Sequence, residues 1–585
     1  MIDPKLYMAD YDDFPYPNFI AFLDDIEARF QNDPAFLYRA GKQKDFTVRT
    51  YRQFAADCRR VARGLLAAGL TKHDRVILWS ENRLEWPAIW LGAAIAGCTI
   101  VPVDFLISDE ECLNIITFTK AKAAFFSPLK AQFAASDQMK NTSLTTTVII
   151  DESFSRFGQD ADGQPLPAAD AIKETDPCSM VFTSGTTGLS KGVVLSHKGI
   201  IANCSAAIIM LQPKKEDVFI SVLPMHHTYP TTCSFLAPLA YGVKIVVVEK
   251  LVGQVIVNDI RDTRGTFVIA VPLLFDKMMA AIDAKYKKLP VFVRAPLDTL
   301  RRISLAEANK GNPDFGRKVF RFLRRKAGLD SIQIMVAGGG PLSVKTADFF
   351  DSLGFNIVQG YGMSENSPLI SVSTPRYKNN ASVGLPVKYT DVRIADQDDD
   401  TTYLKTGEEG EIFVKSPSLM LGYYENPQAT AEMFSREGFL KTGDLGYINE
   451  DGFIFINGRK KNLIVSAGGK NIYPEEIEAC FDNSRVIGEI LVIGRKSEET
   501  GEIIFALVYP NYETLQAKYG GKADNKEFVK TLIKKEIAAV NRNLPVYKKI
   551  ADWMLFNTEF EKNAQKKIKR FLYKDYEDSA KTPIL

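Results

Sequence analysis

This chain of 585 residues contains little histidine and little cysteine, with four His and seven Cys. The cysteines are odd in number, scattered and never spaced as C-x-x-C, which argues against a disulfide scaffold or a zinc ribbon and suits a reducing cytoplasm. With four histidines, multi-histidine metal chemistry is close to excluded. An excess of one charge is also missing, because 73 Lys and Arg nearly balance 71 Asp and Glu. Nucleic-acid-binding proteins usually have a strong basic excess, so we expect no nucleic acid partner.

The chain also lacks a long uninterrupted apolar run. Its longest, residues 86–103, is broken by prolines and glycines and is short for a membrane span of about 20 residues. We interpret it as a buried helix to Ala96 followed by a buried strand. The N-terminal segment has neither a cationic start nor an apolar stretch, so we expect no signal peptide and a cytoplasmic location. Peripheral contact with a membrane stays open.

Apolar runs of strand length alternate with helical periodicity between about residues 51 and 370. Such runs are typical of parallel strands buried on both faces, with helices between them. Ser108 and Glu111 form a capping-box pattern that predicts a helix start. Pro272 suits the first position of a helix, where no amide donor is needed. The predicted strands lie at 123–127, 146–150, 218–223, 244–248, 267–271 and 332–336.

The pattern changes in three later segments. Residues 283–330 are rich in Lys and Arg, and we interpret them as a solvated helical insertion, with a surface for an anionic membrane or a cofactor phosphate as the alternative. From about Gly384 the strands shorten and turn residues multiply, which indicates a β-rich subdomain. After Gly458 a helix, two strands and an apolar helical face at residues 528, 532, 533, 537 and 540 indicate a small α+β domain.

We therefore predict an α/β fold in two domains. Residues 1–457 form a large, multi-subdomain N-terminal region, with parallel sheets sandwiched by helices plus the β-rich subdomain. Residues 458–585 form a small α+β C-terminal domain. A single apolar core rarely grows beyond roughly 250–300 residues, so a chain of this length is expected to divide.

The strongest motif runs from Met180 to His197, where an apolar strand leads into closely spaced Gly and hydroxyl residues. Backbone amides and hydroxyls in such a loop can surround phosphate oxygens, and Lys191 adds a cation. The segment differs from the common nucleotide loop G-x-x-x-x-G-K-S/T because Gly192, not a hydroxyl residue, follows the lysine. The alternative is a Ser/Thr-rich surface turn, which would not require two placed glycines between strands. The predicted phosphate-binding residues are Thr183, Ser184, Gly185, Thr186, Thr187, Gly188 and Lys191.

This segment resembles the phosphate loop of the adenylate-forming superfamily, which includes acyl-CoA synthetases, adenylation domains of nonribosomal peptide synthetases and firefly luciferase. Five further segments resemble superfamily motifs in the same order, and together they cover almost the whole chain. In the C-terminal segment, Lys566 stands where the superfamily has Gly. The five are the glycine-proline turn at 336–342, the segment 361–365 with Ser364 in place of Thr, residues 441–444, residues 458–461, and Lys567 within 562–570.

The resemblance implies that residues 1–457 bind AMP and the acyl group, and that residues 458–585 form a mobile lid with its hinge near Lys461. It also implies a nucleotide-binding role for each segment. It places the ribose hydroxyls on Asp444, with Arg459 beside it, and Mg²⁺ on Thr183 and Glu365. Tyr361 would offer its ring to the adenine, with plain core packing as the alternative. The other residues implied in nucleotide binding are Gly339, Gly340, Pro341, Gln359, Gly360, Gly362, Ser364, Lys461 and Lys567.

These roles are chemically consistent with the residue types. A carboxylate that attacks an α-phosphate faces charge repulsion, so cations are needed along the phosphates. Glu365 offers the hard oxygen that Mg²⁺ prefers; its alternative is an ordinary surface carboxylate. A lone carboxylate such as Asp444 can accept hydrogen bonds from both hydroxyls of a diol.

The resemblance implies four catalytic residues: Lys567, His227, Glu365 and Lys191. Lys567 would meet the substrate carboxylate and the α-phosphate, with Lys566 as the alternative. His227 would lie near the acyl carboxylate, with His226 as the alternative, although a lone buried His more often only packs. Residues 466–470 depart from the commoner S-G-G-E turn, which leaves the details of the thiol acceptor open.

The predicted function is ATP-dependent activation of a long-chain fatty acid to acyl-AMP and its transfer to CoA, which yields acyl-CoA, AMP and pyrophosphate. The basic insertion and residues 360–368 resemble the bacterial long-chain fatty acid–CoA ligases. ATP, Mg²⁺ and CoA are the implied cofactors and cosubstrates. The alternatives are an acyl-AMP ligase that loads an acyl carrier protein, a luciferase-like oxygenase, and a non-catalytic nucleotide-binding homologue. Chain length and oligomeric state stay open.

Overall fold

The computed structural model describes residues 16–41, 43–183, 191–465, 470–482, 484–497, 501–562 and 568–573. Its helices are α1 (Phe19–Phe30), α2 (Tyr51–Ala67), α3 (Trp86–Ile95), α4 (Asp109–Thr119), α5 (Ala131–Ala134), α6 (Glu152–Arg156), α7 (His197–Leu211), α8 (Thr228–Pro230), α9 (Ala237–Leu239), α10 (Gly253–Thr263), α11 (Pro272–Lys287), α12 (Val291–Asn309), α13 (Asp314–Val319), α14 (Arg321–Lys326), α15 (Val344–Ser352), α16 (Pro427–Glu432), α17 (Pro474–Ala479), α18 (Tyr512–Tyr519) and α19 (Lys526–Asn543).

The strands are β1 (Pro34–Tyr38), β2 (Thr47–Thr50), β3 (Arg75–Trp79), β4 (Thr99–Val103), β5 (Ala123–Phe126), β6 (Thr146–Ile149), β7 (Pro177–Thr183), β8 (Lys191–Ser196), β9 (Val218–Ser221), β10 (Lys244–Val247), β11 (Phe267–Ala270), β12 (Ile334–Ala337), β13 (Ile357–Gly362), β14 (Leu369–Val372), β15 (Leu385–Pro386), β16 (Asp391–Ala395), β17 (Gly410–Lys415), β18 (Gly422–Tyr423), β19 (Leu440–Ile448), β20 (Ile454–Arg459), β21 (Ile464–Val465), β22 (Asn471–Ile472), β23 (Ile487–Ser497), β24 (Gly501–Pro510) and β25 (Asp552–Leu555).

The larger central sheet is parallel in its middle and antiparallel at its ends. Its strand order is β15-β14-β13-β12-β11-β9-β10-β1-β2. The six strands β1 and β9 to β13 run parallel, whereas β2, β14 and β15 pair antiparallel. The continuous apolar runs form these parallel strands, as predicted, because their side chains are buried on both faces.

The second sheet has the order β18-β8-β7-β4-β3-β5-β6, with β3 to β7 parallel and β7, β8 and β18 antiparallel. The apolar run at 86–103 forms the buried helix α3 and then β4, which confirms the interpretation made from the sequence. One apolar core joins residues from Phe19 to Phe453 and contains side chains of both sheets. The predicted α/β fold, with parallel sheets between helices, is confirmed.

Two smaller layers complete the fold. The antiparallel sheet β16-β17-β19-β20 forms the β-rich part predicted from about Gly384. Beyond residue 458, β23, β24 and β25 form a further sheet, with a separate apolar core built from residues 464–550. In α19 the buried residues are Val529, Ile533 and Ile537. The sequence predicted Phe528 rather than Val529, but Phe528 packs on the ring of Tyr519, 5.3 Å away between centroids.

Local signals in the sequence mark several helix boundaries correctly. The Ser108 hydroxyl accepts from the Glu111 amide and the Glu111 carboxylate accepts from the Ser108 amide, so the predicted capping box is confirmed at α4. Pro272 is the first residue of α11. The basic segment 283–330 is helical as predicted, because it contains the end of α11 and all of α12, α13 and α14. Among the described helices, none combines the length and the apolar character needed to cross a bilayer.

A buried ion pair holds the strand that carries part of a predicted nucleotide-binding segment. Lys378 and Asp351 are 3% and 0% exposed, and the Lys378 ammonium donates to the Asp351 carboxylate. The same ammonium donates to the carbonyl of Ile357, and the Ile357 amide donates to Asp351 at 3.2 Å. Asn380 donates to the other carboxylate oxygen at 2.9 Å. The ion pair therefore fixes the start of β13 against the end of α15.

Replacing Lys378 by Met should lower the free energy of unfolding by about 3–5 kcal/mol, because the buried Asp351 charge would lose its partner. Urea denaturation followed by tryptophan fluorescence measures the change. The matched control is Lys198→Met, whose ion pair with Glu174 is about half exposed on both sides and should contribute less than about 1 kcal/mol. Equal midpoints for the two variants would contradict the prediction.

Candidate active site

Two paired strands flank the predicted phosphate loop. Thr183 ends β7 and Lys191 begins β8, and the two residues are cross-strand neighbours in the antiparallel pair. The prediction that the loop is bounded by strands is therefore confirmed. The positions between them, Ser184, Gly185, Thr186, Thr187 and Gly188 among them, lie outside the described residues.

Tyr423 joins the predicted phosphate and metal residues, and sequence reasoning missed it. Strand β18 pairs with β8, so Tyr423 lies opposite Val193. The Tyr423 hydroxyl donates to Glu365 Oε1 at 2.8 Å, and the Lys191 ammonium lies 4.7 Å from the centre of the Tyr423 ring. Burial, and then the Glu365 carboxylate, raise the pKa of Tyr423. The Tyr423 hydroxyl therefore stays protonated and donates a hydrogen bond to Glu365, and the face of its ring attracts the Lys191 cation.

The Glu365 turn is held from helix α7. Residues 364–366 form a single 3-10 turn between β13 and β14. The Asn203 side chain donates to the carbonyls of Asn366 and Leu369 at 3.1 and 3.0 Å and accepts from the Leu369 amide. Glu365 itself is 9% exposed. A buried amide that uses both ends in this way fixes the turn, and thereby the direction of the Glu365 side chain.

Close packing explains the predicted glycine before this turn. A Cβ atom at Gly362 would lie 2.1 Å from the carbonyl oxygen of Pro368, a distance that no side chain tolerates. The next predicted residue, Ser364, places its hydroxyl 3.3 Å from that of Thr228 in α8. The turn thereby links β13 to the segment that carries His226 and His227.

The predicted ribose-binding pair is formed. Asp444 in β19 and Arg459 in β20 are cross-strand neighbours, and Arg459 Nε lies 2.8 Å from Asp444 Oδ1. Asp444 is 5% exposed, whereas the Arg459 side chain is 46% exposed. The adjacent Asp444 carboxylate raises the pKa of Arg459. A buried carboxylate beside a half-exposed cation can accept hydrogen bonds from a diol that approaches from solvent.

Tyr361 contributes a hydroxyl as well as a ring. Its hydroxyl donates to Asp444 Oδ2 at 2.7 Å. Burial, and then the Asp444 carboxylate, raise its pKa well above the usual value. Its ring packs against the core of the β-rich sheet. The structure therefore places Tyr361 in the predicted site and gives it a contact that the sequence did not predict.

The glycine-proline turn follows β12, next to β13. Gln359 pairs with Ala337, two residues before Gly339. Gly339 has φ +79°, which favours glycine, and its surface is exposed, as is that of Pro341. Gly340 is partly buried against the start of α11. Just before the turn, the ring of Tyr229 covers Gly338 so closely that a Cβ would lie 2.7 Å from it. The predicted residues of β13 and of this turn thus lie near the carboxyl ends of two adjacent parallel strands, β12 and β13.

The two candidate histidines lie side by side, with His226 buried and His227 partly buried. The rings of His226 and His227 are 4.0 Å apart between centroids, and His226 Nε2 lies 3.7 Å from Asp104 Oδ2. Burial lowers the pKa of both imidazoles, and the Asp104 carboxylate opposes this effect at His227. Both histidines are therefore neutral at pH 7. A neutral imidazole can donate one hydrogen bond without adding a charge.

The predicted hinge and the predicted catalytic lysine lie beyond β20. Lys461 belongs to the 3-10 turn at residues 460–462, and partial desolvation together with the Arg459 charge lowers its pKa to about 8. Lys567 and its alternative Lys566 lie outside the described residues. On either side of them, Lys562 and Ile568 form an antiparallel bridge. Arg570 then pairs with Glu478 of α17, which fixes this segment to the C-terminal domain.

The chain is similar to known enzymes over most of its length. Residues 23–424 match the family described as AMP-binding enzyme, and residues 461–581 match the AMP-binding enzyme C-terminal domain. The chain is 28% identical over 507 residues to the long-chain-fatty-acid–CoA ligase FadD15 of Mycobacterium bovis, covering 81% of this chain and 80% of the relative. It is 24% identical over 563 residues to the chloroplastic long-chain-fatty-acid–acyl-carrier-protein ligase AEE15 of Arabidopsis thaliana, covering 83% and 75%.

A solved structure supports the same conclusion for the fold. The ATP-bound RpMatB–BxBclM chimera B1 superposes with a TM-score of 0.76 at 24% identity, covering 96% of this chain and 99% of the other. The superposition shows that the two chains share one fold. Together with the two family matches, this identifies the chain as a member of the AMP-binding enzyme family, the adenylate-forming enzymes.

Proposed function

We propose that this protein activates a long-chain fatty acid with ATP, forming acyl-AMP and pyrophosphate, and then transfers the acyl group to CoA with release of AMP. The observation that carries the proposal is the cluster of Lys191, Tyr423 and Glu365. The same chain also forms the Asp444–Arg459 pair. Such a set offers cations and a metal ligand for phosphates and a carboxylate for a ribose. The similarity to the long-chain-fatty-acid–CoA ligase of Mycobacterium bovis supports the long-chain substrate.

In this mechanism the residues act mainly by position and charge. Lys191 would neutralise phosphate charge, Asp444 would accept from the ribose hydroxyls, and Arg459 would keep that carboxylate oriented. Lys567 would approach the α-phosphate and the attacking carboxylate, where negative charge accumulates. Neutral His227 would donate a hydrogen bond near the fatty acid carboxylate. Such preorganised groups stabilise an in-line displacement without forming covalent bonds themselves.

The carboxylate oxygens of Glu365 are suitable ligands for a magnesium ion. Mg²⁺ binds through one or two carboxylates plus phosphate oxygens and water, and among the described residues no cluster of three or more His, Cys, Asp or Glu side chains could hold a metal. Tyr423 donates to Oε1 of Glu365, and within the described part of the chain no hydrogen bond is made to Oε2. Glu365 would hold the ion through this oxygen, with Thr183 as the second candidate. Bound there, Mg²⁺ would supply positive charge to the phosphates.

We also propose that residues 458–585 rotate about Lys461 between the two half-reactions. The separate apolar core at residues 464–550 supports a domain that can move as a unit. One site must present Lys567 during adenylation and then admit the thiol of CoA, and domain motion can separate these two tasks. The boundary at 457/458 remains a prediction from the sequence.

A carrier protein is the second candidate for the acyl acceptor. The similarity to the long-chain-fatty-acid–acyl-carrier-protein ligase of Arabidopsis thaliana favours this alternative. This relative and the Mycobacterium bovis ligase are both named for long-chain fatty acids, but they differ in the thiol that accepts the acyl group. Both candidates share the adenylation step. The acceptor is therefore tested separately from the acid.

Incubation with ATP and a panel of carboxylic acids should yield AMP and pyrophosphate, and palmitate should be used far better than acetate or benzoate. Each buried methylene of the acyl chain contributes about 0.8 kcal/mol, so kcat/KM should rise steeply along a ladder of chain lengths. Nucleotide chromatography, with CoA or acyl carrier protein as acceptor, measures products and preference. ADP as the product would overturn the reaction, and a flat response along the ladder would overturn the long-chain substrate.

Tyr423→Phe should lower the rate of acyl-adenylate formation about tenfold or more and raise the Mg²⁺ concentration needed for half-maximal rate. The reason is that a hydrogen bond to a charged group contributes about 1.5–3 kcal/mol. Pyrophosphate release measured as a function of Mg²⁺ gives both values. Tyr424→Phe is the matched control, because its ring packs on Phe118 instead. If Tyr423→Phe kept the wild-type Mg²⁺ dependence, the proposed role of Tyr423 would be wrong.

Lys567→Ala should lose acyl-adenylate formation by about 10²–10³, the usual effect of removing one donor where charge accumulates. Given presynthesised acyl-adenylate and CoA, the same variant should form thioester at nearly the wild-type rate. Quenched-flow assays of the two half-reactions separate these effects. Lys566→Ala is the neighbouring control and should retain both.

Lys461→Pro should show the opposite pattern, since a fixed backbone at the hinge would spare adenylation and slow thioester formation. Equal losses in both half-reactions for Lys567→Ala would contradict the division of labour between domain positions.

A further inference from the structure

The helical insertion concentrates the positive charge of the protein. Residues 283–330 contain 13 Lys and Arg against five Asp and Glu, a formal net charge of +8. Because the whole chain carries +2, the remainder carries −6. Such asymmetry between segments indicates interaction with an anionic surface rather than a general effect of composition.

Most of this charge is not used inside the protein. Arg324 is an exception, because it is buried and donates to the carbonyls of Gly354 and Ile332. Four others pair with nearby acids along the helices. Throughout the described part of the chain, no carboxylate lies within ion-pairing distance of seven exposed basic residues of the insertion: Lys285, Lys288, Arg302, Lys318, Arg321, Arg325 and Lys326.

Large apolar side chains stand among these cations. Phe292 is 79% exposed and Phe322 is 74% exposed, and they accompany three exposed aliphatic residues, Val291, Ile303 and Val319. On α12, exposed residues 292, 295, 299 and 303 recur at helical spacing and so form one stripe along the helix. Solvent-exposed rings and aliphatic groups interleaved with Lys and Arg are typical of surfaces that lie in the headgroup region of a membrane.

These helices form a packed layer rather than a loose loop. Arg301 of α12 donates to Ser352 of α15 at 3.0 Å. The Tyr286 hydroxyl of α11 donates to Asp298 at 2.7 Å. Gly316 of α13 lies directly against Ser304, since an added Cβ would be 2.0 Å from its hydroxyl. The exposed residues of α12, α13 and α14 therefore occupy fixed positions on the outer side of this layer, which we call the basic face.

We propose that the basic face is a docking surface for a bilayer that contains anionic lipids. Phosphate headgroups would neutralise the unpaired Lys and Arg, while Phe292 and Phe322 would enter the boundary between headgroups and acyl chains. The aliphatic residues Val291, Ile303 and Val319 distinguish this surface from one for nucleic acid, where they would have no partner. The proposal concerns the surface alone and does not depend on the proposed reaction.

Sedimentation of the full-length protein with vesicles tests the docking. The protein should bind vesicles of equal parts phosphatidylcholine and phosphatidylglycerol, should bind pure phosphatidylcholine weakly, and should be released by added salt. Simultaneous Arg321→Glu, Arg325→Glu and Lys326→Glu substitution should lower the partition coefficient at least about tenfold, because each basic residue near an anionic membrane contributes a several-fold effect. The matched control reverses three exposed lysines of the C-terminal domain, Lys526, Lys534 and Lys535, and should bind like the wild type.

The apolar contribution is tested by Phe292→Ser with Phe322→Ser, which should weaken vesicle binding severalfold at every salt concentration. Leu129→Ser with Val546→Ser is the control, because these side chains are 75% and 83% exposed elsewhere and should have no effect. Circular dichroism establishes that each variant is folded. Equal binding by the wild type and the basic-face variants would overturn the proposal. So would tight binding of RNA or DNA, in fluorescence anisotropy, together with no binding to anionic vesicles, since that result would assign the face to nucleic acid.

Discussion

The carboxylate of Asp444 is shared between the Tyr361 hydroxyl and the Arg459 guanidinium, and these two partners come from different sheets. Tyr361 is on β13 of the larger parallel sheet, while Asp444 and Arg459 are on β19 and β20 of the β-rich sheet. A buried carboxylate without partners would be costly, so the two sheets are held in one relative position by this contact. Because Arg459 directly precedes the turn that contains Lys461, the same contact fixes the point from which the C-terminal domain extends.

A second carboxylate, that of Glu365, organises the part of the candidate site where we propose that phosphates bind. Glu365 accepts from Tyr423, and Tyr423 in turn contacts Lys191, so one tyrosine joins a carboxylate and a cation of the candidate site. Strands β8 and β18 bring this tyrosine into place through backbone pairing. In both clusters a tyrosine with a raised pKa keeps its proton and donates a hydrogen bond to a carboxylate. The site is therefore positioned by side chains that need not contact a substrate themselves.

The sequence predicted those features that depend on local pattern. Apolar runs gave the parallel strands, and Ser108 and Pro272 marked the helix starts, because caps and strand burial depend on neighbouring residues. Ordered motifs predicted Glu365, Asp444 and Arg459 as site residues, and the structure gives each of them a side-chain partner. The supporting contacts were missed because they join distant positions: Tyr423 is 58 residues from Glu365, and Asn203 is 163 residues from Asn366. A single Tyr or Asn has no spacing pattern, so only the folded chain reveals its partner.

The position of Lys461 bears on how the proposed hinge is driven. Desolvation and the Arg459 charge lower the pKa of Lys461 to about 8, so in this conformation its charged form is less favourable than in water. A rotation that moved Lys461 into solvent would restore its ordinary pKa. Protonated Lys461 therefore favours departure from this arrangement, and the preference for departure weakens as pH rises above about 8. Arg459 therefore acts on both sides: it pairs with the Asp444 carboxylate, and its charge disfavours the protonated form of Lys461 at the proposed hinge. Through Arg459, the proposed ribose-binding pair is coupled to the proposed hinge.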